Sequence, residues 1–166
     1  MQLTTKIKTT FQATGTKALD DRTATDPINL SRTTSLANGT GASKANQSFH
    51  DQRSLASGAN EELDLAGSLV DAFGDTITFT KIKAMRLVNQ SLVDDFLIFG
   101  AAANGFNTPI GAVADKLRLK RGGLIIIEDP LDGYAVTTGT GDLLRIEHEA
   151  VTAAAAIYEL TLVGEV

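Results

Sequence analysis

The stretch "DLAGSLVDAFGDTITFTKIKAMRLVN", residues 64–89, decides the fold, because its hydrophobic period changes phase midway along. Ile77 and Phe79 alternate with threonines, which puts both apolar side chains on one face of a strand. Ile82 and Ala84 then fall on the opposite parity, and Met85 and Leu87 return to the first. That slip predicts a bend or a bulge between Thr80 and Ala84. Upstream, Gly67 and Gly74 punctuate "SLVDAFGD" as a turn or helical loop.

Outward from this passage the chain reads as further short strands. "NQSFHDQRSLA" (46–56) and "ELDLAG" (62–67) precede it. After it, "DDFLIFGAAA" (94–103) carries apolar residues on both faces, with Phe96 and Ile98 facing one way and Leu97 and Phe99 the other. "DKLRLKRGG" (115–123) alternates Leu117 and Leu119 with Lys116, Arg118 and Lys120, and "GLIIIEDP" (123–130) reads as a buried strand ended by acid and proline. "GYAVTTGTGD" (133–142) reads as a strand and a turn, and "LLRIEHE" (143–149) and "AIYELTLVGEV" (156–166) read as a paired final hairpin. The alanines at 153–156 are too few to propagate a helix. Many short strands at about ten-residue spacing, with Gly- and Asn-rich turns, predict an antiparallel all-β sandwich, jelly roll or barrel from Ala45 to Val166. Its expected core includes Ile77, Phe79, Phe96, Ile98, Ile126, Leu144, Ile146, Tyr158 and Leu160.

Residues 1–44 differ in character. Leu3, Ile7 and Phe11 share one parity in a short extended element, and Thr14–Lys44 is rich in Thr, Ser, Asn, Asp and Gly. Such a segment buries too little surface to offset its conformational entropy alone, which predicts an extended arm ordered against a partner or against its own body. Pro27 holds Asp26 extended. Residues 1–60 carry seven Lys+Arg against four Asp+Glu, and residues 61–166 eight against sixteen, so a net +3 leads a net −8. Chance scatter of surface charge accounts for this asymmetry; so does an arm that docks on an acidic neighbour.

The 166 residues contain no cysteine, which removes disulfides, thiol catalysis and thiolate metal sites together. No apolar run approaches bilayer length and the first residues lack an apolar signal core, so the expectation is a soluble chain with no membrane partner. No catalytic, cofactor or metal site is legible. "NGTGASK" (38–44) lacks the glycine spacing and ending of a phosphate-cradling loop. His50 and His148 stand in separate strands, and the consecutive Glu147, His148 and Glu149 point to alternating faces, as polar residues of a hairpin facing solvent. Asp71 with Asp75, and Asp94 with Asp95, sit in turn contexts that aspartate favours. Lys116, Arg118, Lys120 and Arg121 form the densest basic cluster, read as a guarded sheet edge and not as a nucleic-acid surface. Four Asn-x-Ser/Thr matches, at Asn29, Asn38, Asn46 and Asn89, bear only on a secretory chain.

The order of "LDLAGSLVDAFGDTITFTKIKA", "IFGAAANGF", "GGLIIIEDPLDGYAV", "GTGDLLRI" and "IYELTLVG" resembles a group of small structural proteins of tailed bacteriophages, including jelly-roll capsid cement or decoration proteins. The likeness covers about residues 46–164 and rests on a grammar of strands, with no catalytic signature in it. It implies a jelly-roll-like body and a virion protein without turnover, bound to the outer surface of the capsid. The implied partners are the major capsid protein and the chain itself, as a trimer or dimer. Lys6, Lys8, Phe11, Lys17, Arg22 and Arg32 are the candidate contacts to capsid or neighbouring subunit. Two other readings stay open: a tail or fibre component that recognises a host surface, and a jelly-roll enzyme or carbohydrate-binding domain.

Overall fold

The computed structural model describes residues 2–92, 96–100, 103–112, 114–149 and 153–166. Its elements are all strands, with no helix among the described residues. In chain order they are β1 (Thr5–Ala18), β2 (Thr23–Asn38), β3 (Lys44–Ala45), β4 (Gln47–Leu55), β5 (Asn60–Asp64), β6 (Leu69–Val70), β7 (Thr76–Ile77), β8 (Lys81–Asn89), β9 (Phe96–Gly100), β10 (Lys116–Lys120), β11 (Leu124–Glu128), β12 (Tyr134–Ala135), β13 (Leu143–Glu149) and β14 (Ala156–Glu165). One sheet has the order β11-β8-β14-β4, with β12 also paired to β8, and a second has the order β10-β9-β13-β5.

The pairing is nested. Among these eight strands the first pairs the last (β4 with β14), the second the seventh (β5 with β13), the third the sixth (β8 with β11) and the fourth the fifth (β9 with β10), all antiparallel. Rolling one long antiparallel ribbon into two facing sheets produces this order, which is consistent with the wrap of a jelly roll. "LLRIEHE" and "AIYELTLVGEV" therefore do not form a hairpin: β13 lies in one sheet and β14 in the other. Closeness in sequence favours pairing of neighbouring strands, but in a rolled ribbon the connection crosses between sheets.

The core lies between the sheets. Leu87, Leu160 and Tyr158 from one meet Leu97, Phe99, Leu144 and Ile146 from the other, with Ile77 and Phe79 buried among them. Two expected core positions are corrected. In β9 it is Leu97 and Phe99 that face inward, while Ile98 is half-buried on the outer face, opposite Arg118 on one side and Glu147 on the other. In β11, Ile125 and Ile127 pack on the core and Ile126 lies opposite Arg86 on the outer face. Both strands are apolar on both faces, so their period could not choose. Asp94, Asp95 and the side chain of Phe96 lie outside the described residues.

The phase slip of residues 80–84 is a β-bulge. Val163 pairs Ala84 but Gly164 pairs Ile82, which leaves Lys83 as the extra residue on β8. A Cβ at Gly164 would stand 2.1 Å from the Lys81 carbonyl oxygen, so the close approach needs glycine there. Before the bulge, "SLVDAFGD" is a small hairpin of β6 and β7, closed by Asp71, whose Oδ1 accepts the N–H groups of Phe73 at 2.8 Å and Asp75 at 3.0 Å.

Candidate interaction surface

Residues 5–38 form a long two-stranded ribbon. β1 and β2 pair without interruption from Thr5 with Leu36 to Ala18 with Thr23, and the turn closes with the Leu19 N–H on the Arg22 carbonyl at 2.7 Å. Threonines and isoleucine on both strands favour extended backbone. Pro27 fits because both strands of a ribbon are edges. At about 3.4 Å per residue the ribbon is roughly 45 Å long. Residues 14–44 are thus far more regular than their composition implied: the missing core is replaced by a ladder to β1.

Only the base of the ribbon is seated. Leu36 and Ala45 are buried against Ala84 and Val163 on the outer face of the β11-β8-β14-β4 sheet, with Leu3 and Ile7 packed alongside. Arg32 reaches Glu128 of edge strand β11 at 3.6 Å. From Leu36 over β8 and β14 to Arg32 at β11, the ribbon crosses the strands and leaves the body past that edge. Residues 10–33 are all exposed.

The register gives the projecting length of ribbon a pair of unlike faces. The pairs Thr9 with Arg32, Phe11 with Leu30, Ala13 with Ile28, Gly15 with Asp26, and Lys17 with Ala24 continue the face seated at the base. On it Phe11 is 62% exposed, Leu30 64% and Ile28 43%. The opposite face carries Lys6 with Ser35, Lys8 with Thr33, Thr10 with Ser31, and Gln12 with Asn29, the last joined by a side-chain hydrogen bond of 3.3 Å. Of the candidate contacts, Lys6 and Lys8 therefore share the polar face, Phe11, Lys17 and Arg32 lie on the other, and Arg22 sits in the tip turn. Leu30 and Ile28 belong with Phe11, a grouping that composition and period do not reveal, because only the register brings them beside it.

A buried ionic latch fixes the base. Lys83 is 1% exposed, and its Nζ lies 3.0 Å from Glu165 Oε1 while donating to the Leu131 carbonyl at 2.8 Å. The same Glu165 oxygen accepts the Gly41 N–H at 2.8 Å. Burial alone raises the Glu165 pKa, but the Lys83 and Gly41 hydrogen bonds and the charges of Lys83 and Lys81 outweigh it and hold the carboxyl below its usual range. Lys83 is thus buried beside the arm's base loop, held between Glu165 and the Leu131 carbonyl. In "NGTGASK" the Ser43 N–H goes to the Pro130 carbonyl at 2.7 Å and the Gly41 N–H to Glu165, so the loop's amides tie the arm to the body.

The remaining polar groups are spread over both sheets. His50 Nδ1 is 2.9 Å from Thr161 Oγ1, and His148, in the other sheet, lies 3.0 Å from the Ala56 carbonyl. His148 is buried, not solvent-facing as its hairpin reading implied, because it shares the inward face of β13 with Leu144 and Ile146. Arg53 bridges Asp51 at 2.9 Å and Glu61 at 2.8 Å, and Glu61 accepts the Tyr158 hydroxyl at 2.6 Å; burial and that bond push the phenol's pKa up. β10 is an edge strand, where Lys116 faces Glu147 at 3.7 Å and Arg118 meets Glu149 at 2.5 Å. Among the described residues no three His, Asp or Glu side chains converge as a metal site, and no helix is long and apolar enough to cross a membrane. Neither a scan of protein-family models nor a search of curated proteins finds a match to this chain.

Proposed function

We propose that this chain is a structural binding protein that decorates and stabilises the outside of a tailed-phage head, with the ribbon as its attachment element. The observation that carries this reading is the ribbon itself, a regular hairpin of about 45 Å anchored at one end and exposed over residues 10–33. Exposed apolar surface on a projecting element marks an interaction site. The likeness of residues 46–164 to capsid cement proteins supplies the kind of partner. On the ribbon, Lys6, Lys8, Lys17, Arg22 and Arg32 outnumber Asp20, Asp21 and Asp26, which suits an acidic protein shell.

The test mixes purified protein with undecorated heads and images them by electron cryo-microscopy. The comparison variant joins Ile7 to Thr34, which are paired, through an Asn-Gly turn, so that the seated base is kept and the projection removed. Saturating density at fixed head positions with the full chain, weakened modestly by salt and lost in the shortened chain, supports the reading. Density on the tail alone, or on neither head nor tail, overturns it.

A further inference from the structure

We infer that the apolar face of the ribbon is covered by a second copy of this chain, on the outer face of the neighbour's β11-β8-β14-β4 sheet beside the rows its own ribbon base occupies. This deepens the proposed role by naming the occupant of one face of the arm. It rests on the arm being a binding element and requires no shell.

Continuity is the first argument. The ribbon face bearing Phe11 and Leu30 is the face that, four to six residues nearer the base, already sits on Ala84 and Val163 of that sheet. The chain therefore displays the kind of surface this face packs against: the outer side of β8 and β14. Past the seated row, the same sheet face continues with Ile126 opposite Arg86, then Leu124 opposite Val88. Leu124 is 52% exposed, and Val88 and Ile126 are half-buried. Leu124, Val88 and Ile126 thus form an uncovered apolar patch next to the covered row, bordered by the Arg86–Glu159 ion pair, and the ribbon of the same chain cannot turn back onto it, because it leaves past β11.

Charge is the second argument. Where ribbon and sheet edge meet, Arg32 lies on Glu128, a cation on a carboxylate. Further along the same ribbon face lie Asp26 and then Lys17, and on the sheet Glu159, opposite Val88, is paired with Arg86. The leading residues 1–60 total +3 and the rest −8, so arm and neighbouring body attract.

Area is the third. A ribbon roughly 10 Å wide laid across four strands about 4.8 Å apart covers about 190 Å² on each of two surfaces. In a two-fold pair that exchanges both arms this removes about 760 Å², the scale of a weak, reversible association. The polar face with Lys6, Lys8 and Gln12 stays outward, available to a shell.

Sedimentation velocity and light scattering on the full chain, without heads, provide the test. The wild type is expected to associate at tens of micromolar. Phe11→Asp with Leu30→Asp, a paired position on the apolar face, is expected to raise the dissociation constant at least tenfold. Thr10→Asp with Ser31→Asp, a paired position on the polar face with the same added charge, is expected to leave it within twofold. Because the chain has no native cysteine, Ala13→Cys carries a single photo-crosslinker, and mixing isotope-labelled with unlabelled protein identifies adducts between copies. Adducts on residues 81–89 or 124–128 of another copy support the assignment. A monomeric wild type, equal weakening by both double variants, or adducts confined to other segments overturns it. Loss of head binding with self-association intact would overturn the capsid reading alone.

Discussion

Replacing Lys83 by methionine removes the cation of a fully buried ion pair while keeping nearly the same side-chain length. Glu165 is left with the Gly41 N–H and the more distant Lys81 charge, and the Leu131 carbonyl loses its donor. Removing one member of a buried pair costs about 3–5 kcal/mol, because the other charge stays desolvated and uncompensated. For a chain of this size each kcal/mol moves Tm by about 2–4 °C, so the expected fall is about 6–20 °C by far-UV circular dichroism. Adding Glu165→Gln should recover most of that loss, since the amide oxygen still accepts from Gly41 and no buried charge remains. A Lys83→Met chain within about 1 kcal/mol of wild type would refute the reasoning, as would a double variant whose loss equals the sum of the two single ones.

Further expectations follow from the same geometry. The Asp71 carboxyl is held below its ordinary value, first by the Asp75 N–H against the opposing effect of burial and then by Phe73, Gln47 and Gly74, and Glu165 is held low by its partners. Both contribute stability that is present above their unfolded pKa values and lost as pH falls through the lower folded ones, so urea midpoints should hold above about pH 5 and drop below about pH 4; Asp71→Asn should flatten that drop. Gly164→Ala forces a Cβ to 2.1 Å from the Lys81 oxygen and should cost at least about 1–3 kcal/mol in urea unfolding, whereas Gly15→Ala, with its nearest neighbour at 3.8 Å, should be close to neutral. Leu87→Ala opens a cavity in the core and should cost about 2–5 kcal/mol, against less than about 1 kcal/mol for Ile126→Ala on the outer face, both read from urea midpoints.

The body was legible where one face of a strand is apolar and the other is not. Ile77 with Phe79, Leu144 with Ile146, and Tyr158 with Leu160 alternate with polar residues and are buried. Even the bulge at Lys83 showed as a change of parity, because an extra residue shifts every later side chain by one. "DDFLIFG" and "GLIIIE" were not legible in the same way. Their outer faces are apolar too, and which one turns inward is set by pairing with β13 and β8, a contact between distant segments of the chain. The burial of Lys83 had no local signal, since its partner Glu165 lies at the far end of the sequence.

The arm shows the limit most clearly, and with it a physical reason for the arm to seek a partner. Leu3, Ile7 and Phe11 announce one face of β1, but Leu30 and Ile28 join that face only in the register that opposes Thr5 to Leu36, and a slip of one residue would send them to the lysine side. Period alone cannot fix a register that depends on where the turn falls. Beyond Thr9 the ribbon is exposed along both strands among the described residues, and a two-stranded hairpin is marginally stable by itself in water. Its base is fastened by Leu36 in a small apolar cluster and by the Glu165 contact to Gly41, so the ribbon is aimed while its outer half depends on the ladder alone. Covering Phe11, Leu30 and Ile28 would add the apolar burial that this half lacks, at about 25 cal/mol per Å² removed from water. The energy that orders the tip and the energy that binds a partner would then be the same. Arm order and association should therefore appear together in hydrogen exchange, with amides of residues 10–31 gaining protection as concentration rises and those of β8 and β14 unchanged at the core. Equal protection of the arm at dilution and at association would separate the two and sink that coupling.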